Sequence, residues 1–174
     1  RKNDTPMIQT LFSPFSTLKK MAGDRLLQDM SEYPESVHHA LEAITETTLD
    51  FVKYNIDAGV DGFFFATQNA VKTMMTPEQF AEFGEFYDLK IIESYTEKTW
   101  FNPVHIHGQD IYFEKLANYP VNCINWHDRH TFPSLKEARQ LTDKCLMAGI
   151  KSAPHFVNGV LTYDDIMLDG TPEE

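Results

Sequence analysis

Two histidines separated by one residue, His105 and His107, carry the strongest chemical signal in the sequence. They end an apolar run that starts at Val104, and residues i and i+2 of a β-strand project from the same face. Two imidazoles on one face can ligate the same metal ion, and zinc is the usual partner of such a pair. The sequence therefore predicts either a metal site or two polar residues that bind a substrate.

A zinc site needs one or two ligands beyond this pair, and the spacing does not fix them. A residue outside this chain could supply one. Within the chain, the candidates are histidine, aspartate and cysteine side chains in the second half of the sequence: His127, Asp128, His130, His155 and Cys123.

Polar and aromatic residues follow several of the apolar runs, where a strand would end. In α/β barrels the side chains that act on a substrate come from the carboxyl ends of the strands and the loops after them. Amide and hydroxyl groups there can hydrogen-bond a substrate, and aromatic rings can pack against it. We therefore expect substrate contacts from six residues: Phe15, Thr67, Gln68, Gln109, Asn125 and Trp126.

Three residues of these strand ends are candidates for catalysis, namely His107, His127 and Asp128. Histidine is the side chain whose proton equilibrium lies closest to neutral pH. Asp128 would hold the tautomer of His127 or His130, or else it would only cap the following loop.

The elements that position these residues are short apolar runs separated by segments long enough for helices. The predicted strands are residues 7–12, 60–66, 104–107, 121–126 and 146–150. An amphipathic helix is predicted over residues 34–58, and further helices begin after Thr76 and Ser134. This order predicts a parallel sheet in an α/β fold, either open or closed into a barrel. No glycine-rich phosphate loop follows any strand.

Length and composition narrow the function classes. The 174 residues predict one domain over residues 1–174, which is short of the roughly 250 residues of a full α/β barrel. A net charge of −11 argues against nucleic acid or an anionic membrane as partner. With neither an apolar span nor a signal-peptide pattern, we expect a cytoplasmic protein. Cys123 and Cys145 lack CxxC spacing, which predicts buried, reduced thiols.

Five segments, taken in order, resemble the uroporphyrinogen decarboxylase (URO-D) superfamily. The segments are Ser13-Pro14-Phe15-Ser16-Thr17-Leu18, Ala58-Gly59-Val60-Asp61-Gly62, Val104-His105-Ile106-His107-Gly108, Asn125-Trp126 and Gly170-Thr171-Pro172-Glu173-Glu174. The superfamily includes the decarboxylases of haem biosynthesis and zinc-dependent corrinoid methyltransferases. The resemblance implies a (β/α)8 TIM barrel, of which this chain contains about five strands.

The resemblance implies first a decarboxylase-like lyase that acts on a tetrapyrrole and needs no cofactor. The alternative is a zinc-dependent methyltransferase that moves a methyl group between a corrinoid and a thiol. In that branch a His-x-Cys motif matches His105-Ile106-His107, so both histidines would be metal ligands. A second alternative is a non-catalytic relative that binds a tetrapyrrole. A corrinoid protein and a second copy of the chain, in a homodimer, are the expected macromolecular partners.

The sequence departs from the decarboxylase pattern at three positions. Lys20 stands near the substrate-binding tyrosine, Thr67 stands near the serine, and Asn125 replaces the aspartate of an Asp-Trp pair. These departures count against uroporphyrinogen itself as the substrate.

Overall fold

Five parallel strands form the sheet that carries the candidate residues. A computed structural model describes residues 5–149, 156–157 and 160–161 of the chain. The strands are β1 (Ile8–Phe12), β2 (Gly62–Thr67), β3 (Pro103–Ile106), β4 (Cys123–Trp126) and β5 (Cys145–Met147). They lie side by side in sequence order, and every neighbouring pair is parallel. This arrangement confirms the predicted α/β fold and order of strands.

Each predicted strand has an observed counterpart, with bounds that differ by at most three residues. Residue 150, which the sequence assigns to the fifth strand, lies outside the described residues, as do His155 and the 170–174 segment. A short antiparallel pair that the sequence did not predict consists of β6 (Phe156–Val157) and β7 (Val160–Leu161).

Helices connect the strands. They are α1 (Pro14–Ala22), α2 (Arg25–Glu32), α3 (Pro34–Asp57), α4 (Pro77–Phe80), α5 (Phe86–Glu93), α6 (Phe113–Ala117) and α7 (Leu135–Leu141), and a π-helical turn (Ala81–Glu85) joins α4 to α5. The predicted helix over residues 34–58 is α3. Thr76 and Ser134 each form a capping box at the start of α4 and α7, as predicted.

The segment after β1 forms a helix that the sequence analysis did not anticipate. Ser13 lies at the N-cap position of α1, where its Oγ accepts a hydrogen bond from the backbone N–H of Ser16 at 3.1 Å. Pro14 suits the first helical position because its fixed φ matches a helix. Residues 13–16 thus follow the end of β1 directly and begin a helix.

The two faces of the sheet differ in their cover. On the outer face, under the helices, alternate strand residues are fully buried: Phe63, Phe65, Val104, Ile106 and Ile124. On the inner face, Ile8, Phe12 and Met147 remain between 37% and 40% exposed. An uncovered inner face is what an arc of a barrel presents.

Cys123 is buried as predicted, but Cys145 at the edge strand is exposed, so the prediction of a buried thiol there was wrong.

Among the described residues, the helices are too short or too polar for any of them to cross a bilayer.

Candidate metal centre at the carboxyl end of the sheet

His105 projects from the inner face of the sheet. Its neighbours along β3, Val104 and Ile106, are fully buried on the helix side, while His105 is only partly buried. In register with it lies Asn125 of β4, and the His105 Nδ1 and Asn125 Oδ1 atoms are 2.6 Å apart. Because Oδ1 can only accept, Nδ1 must carry the proton. The Nε2 atom of His105 is then left with a free lone pair.

Two more imidazoles join His105 just beyond the strand ends. His107 follows β3 and His127 follows β4, and the His107 Nδ1 lies 3.2 Å from the His127 Nε2. The ring centres of the three histidines are 5.2 to 6.1 Å apart. One nitrogen from each ring lies within 4.8 Å of the others. The structure thus brings the predicted pair together with His127, one of the candidate third ligands.

Backbone contacts hold the loop that carries His107. The N–H of His107 donates to the carbonyl of Thr67 at 3.0 Å, which ties it to the end of β2. Gly108 adopts φ +120°, and a Cβ there would lie 2.6 Å from Cγ1 of Val71, so only glycine fits. Val71 in turn forms an isolated antiparallel β-bridge with Ile111. The loops after β2 and β3 are therefore fixed to each other, and His107 with them.

Asp128 stabilises the loop after β4 through contacts with its neighbour Arg129 and with Gly149, which follows β5. Its Oδ1 accepts from the N–H of Gly149 at 2.8 Å, and its Oδ2 lies 3.6 Å from Nε of Arg129. Arg129 also donates to the carbonyl of Gly149 at 3.0 Å. The predicted contact of this carboxylate with His127 or His130 is not formed, and Asp128 supports the cluster from behind.

The environment of His105 and of His127 favours the neutral form of each ring. Burial lowers the pKa of His105 below its usual 6.5, although the hydrogen bond that His105 donates to Asn125 opposes this shift. Burial also lowers the pKa of His127, and repulsion from His107 and His130 adds to this effect. Since a metal binds the deprotonated nitrogen, the lowered pKa values favour metal binding at neutral pH.

Three of the predicted substrate-binding residues lie apart from the histidines. Trp126 is 2% exposed on the outer face, where its Nε1 donates to the carbonyl of Pro133 and its ring packs edge-on against Phe113. Phe15 is equally buried in the core, and Thr67 is in register with the outward-facing Ile106. The strand-end position predicted from sequence is therefore right for all three, but their side chains point away from the cluster.

Gln68 and Gln109 follow the ends of β2 and β3, and their role in substrate binding stays a prediction. Gln68 is half-buried at the end of β2, and its N–H donates to Oγ of Ser16 at 2.9 Å. Gln109 is exposed in the loop after Gly108. Phe64, which was not among the predicted site residues, stacks on His105 with 5.4 Å between ring centres. Its alternation with Phe63 and Phe65 was the signal that could have identified it.

Comparison with known proteins relates this chain to a protein family by sequence and to a solved structure by fold. Residues 1–157 match the sequence model of a family described as uroporphyrinogen decarboxylase (URO-D). A methyltransferase from Methanosarcina mazei has the same fold over 91% of this chain, with a TM-score of 0.75 and 17% sequence identity. The chain spans 47% of the length of that methyltransferase. No curated protein matches the chain in sequence.

Proposed function

Because the chain belongs to the uroporphyrinogen decarboxylase (URO-D) family, we propose that it acts in a metal-dependent methyltransferase, with zinc held by His105, His107 and His127. The observation that carries the proposal is the convergence of the three imidazoles. Two nitrogens on one tetrahedral zinc ion lie about 3.3 Å apart, given a Zn–N distance of about 2.0–2.1 Å. The three donor nitrogens lie within 4.8 Å of one another, so the rings would move closer together when the ion binds.

The three donors also fit zinc by their chemistry. Three imidazoles are a known donor set of catalytic zinc and leave its fourth position open. When bound, zinc would lower the pKa of a thiol co-substrate so that the thiol reacts as a thiolate, the nucleophile that methyl transfer from a corrinoid requires.

The surrounding residues position the donors. Asn125 accepts a hydrogen bond from Nδ1 of His105, which directs Nε2 of the same ring into the cluster. Phe64 covers one face of the same ring and excludes water from it. The fixed loop at Gly108 sets the place of His107. Together these contacts reduce the reorganisation that the binding of a metal would require.

A decarboxylase-like lyase is the second candidate, and the description of the matching family favours it. Decarboxylation would need positive groups that stabilise the charge left by departing carbon dioxide. Burial lowers the pKa of both His105 and His127, so neither imidazole offers a permanent positive charge at neutral pH. The polar cluster therefore suits a metal better than it suits an anionic transition state.

Metal content and product formation together test the proposal. The full-length protein, purified without chelator, should contain about one zinc ion per chain. With zinc bound, it should transfer a methyl group from a methyl-corrinoid to a thiol and release no carbon dioxide from a porphyrinogen. His105→Ala and His107→Ala should lose both the zinc and the transfer. A protein free of transition metal that releases carbon dioxide would overturn the proposal in favour of the lyase.

A further inference from the structure

Two cysteines face each other across the last two strands of the sheet. Cys123 of β4 and Cys145 of β5 are directly in register. Neighbouring strands lie about 4.8 Å apart. This spacing falls within the roughly 4.4–6.8 Å that separates the Cα atoms of two cysteines in a disulfide. The backbone therefore already holds the two residues at a distance that a disulfide can span.

The two side chains project from the same face. Cys123 lies two residues before Asn125, whose amide reaches His105 on the inner face, so strand alternation places the Cys123 thiol on that face as well. Cys145 is its partner in register and shares the face. In keeping with this placement, the neighbouring Cys145 contributes to raising the pKa of Cys123. Cys123 is 1% exposed, whereas Cys145 is accessible to solvent.

We propose that Cys123 and Cys145 form a redox-active dithiol that closes to a disulfide between β4 and β5 when it meets a small disulfide oxidant. The pair is separate from the histidine cluster, and the proposal does not depend on a metal there. It replaces the sequence-based expectation of two inert, reduced thiols with a modification site on the inner face.

The different exposure of the two thiols sets the order of the steps. The Cys145 thiol loses its proton to water, and the thiolate attacks one sulfur of oxidised glutathione, which releases one glutathione and leaves a mixed disulfide. Burial, together with the neighbouring Cys145, raises the pKa of Cys123 to about 12, so this thiol does not attack first. The Cys123 sulfur then attacks the sulfur of Cys145, and its proton passes to the glutathione thiolate, which leaves as the second glutathione thiol. Two thiols have lost two electrons, and one glutathione disulfide has become two thiols.

The experiment equilibrates the full chain with mixtures of reduced and oxidised glutathione, then alkylates free thiols and measures the intact mass. Wild type should show only two species, one with both cysteines alkylated and one with neither, the latter lighter than the reduced unalkylated chain by about 2 Da. Cys123→Ser should stop at a single glutathione adduct on Cys145. Cys145→Ser should stay unmodified, because Cys123 is buried.

Each other outcome counts against the dithiol. A stable glutathione adduct on wild-type Cys145, a disulfide-linked dimer, or a wild type that stays reduced where Cys123→Ser is fully modified would each overturn the proposal. Circular dichroism checks that the variants fold. Cys123→Ala, which places no hydroxyl in the buried position, should give the same single adduct as Cys123→Ser.

Discussion

Adjacent residues of the same strand have opposite environments in this sheet. On β3, His105 faces the inner side and contacts Asn125, whereas Ile106 is fully buried beneath the helices. On β4, Asn125 faces the same inner side, and Trp126 is packed against Phe113 on the outer side. A strand period of two thus separates the residues that can act on a ligand from those that hold the fold together.

Replacing Ile106 with alanine should have the largest effect on stability. Removal of a fully buried isoleucine side chain costs about 2–5 kcal/mol of unfolding free energy. Urea unfolding in the presence of a chelator measures this cost. By comparison, His105→Ala should lower the free energy of unfolding by no more than about 1 kcal/mol, because the ring is only partly buried. Equal losses from the two substitutions would mean that His105 is a core residue and not part of a site.

The buried carboxyl group of Asp88, on α5 in the outer layer, should make stability depend on pH. Burial raises the pKa of Asp88 from 3.8 to about 8, with a hydrogen bond from Tyr119 opposing the shift. The folded chain keeps a proton that the unfolded chain loses, so stability should fall as the pH rises from about 4 to 8, by about 1.4 kcal/mol per pH unit.

Asp88→Asn should remove that slope, since the amide resembles the neutral acid. At neutral pH the variant should be more stable than wild type by up to about 4 kcal/mol, as measured by urea unfolding across the pH range. An Asp88→Asn variant that is less stable than wild type at neutral pH would show that Asp88 is ionised when folded.

The pKa of His105 has the opposite effect on stability. Because burial lowers this pKa, the unfolded chain binds the proton more readily, and the free energy of unfolding falls as the pH falls below about 6.5.

Asn125→Ala should weaken zinc binding by about 10- to 100-fold, the usual effect of removing a residue that orients a metal ligand. The reason is that His105 loses the acceptor for its Nδ1 proton. Asn125→Asp should restore the affinity, because a carboxylate accepts the same hydrogen bond. Asn122→Ala, on the exposed side of the loop before β4, is the matched control outside the cluster. If the aspartate fails to rescue binding, the contact does not orient the ring.

Much of this arrangement could be predicted from sequence because it follows from alternation and order. The apolar runs gave the five strands, and the His-x-His spacing placed His105 and His107 on one face. The directions of the side chains could not be predicted in the same way. Trp126 and Thr67 were chosen by their position at strand ends, but the face to which a strand side chain points depends on the register between strands, which one sequence does not show. Phe15 lies in α1, a helix that the sequence did not predict.

The third ligand could not be chosen from sequence for a related reason. His127 and His130 lie in one loop and have the same chemistry, and only the pairing of β3 with β4 brings the ring of His127 to His107. The exposed Cys145 was likewise missed because its cover depends on β5 being at the edge of the described sheet.

A zinc titration of His127→Ala against His130→Ala tests the metal centre most directly. The two histidines share a loop, but only His127 belongs to the cluster. The ring centre of His130 lies 6.4 Å from that of His127. With a competing chromophoric chelator at neutral pH, wild type and His130→Ala should each bind about one zinc ion with equal affinity. His127→Ala should bind it at least about 100-fold more weakly. Equal affinity of the two variants, or no zinc binding by wild type, would contradict a metal centre built from these three histidines.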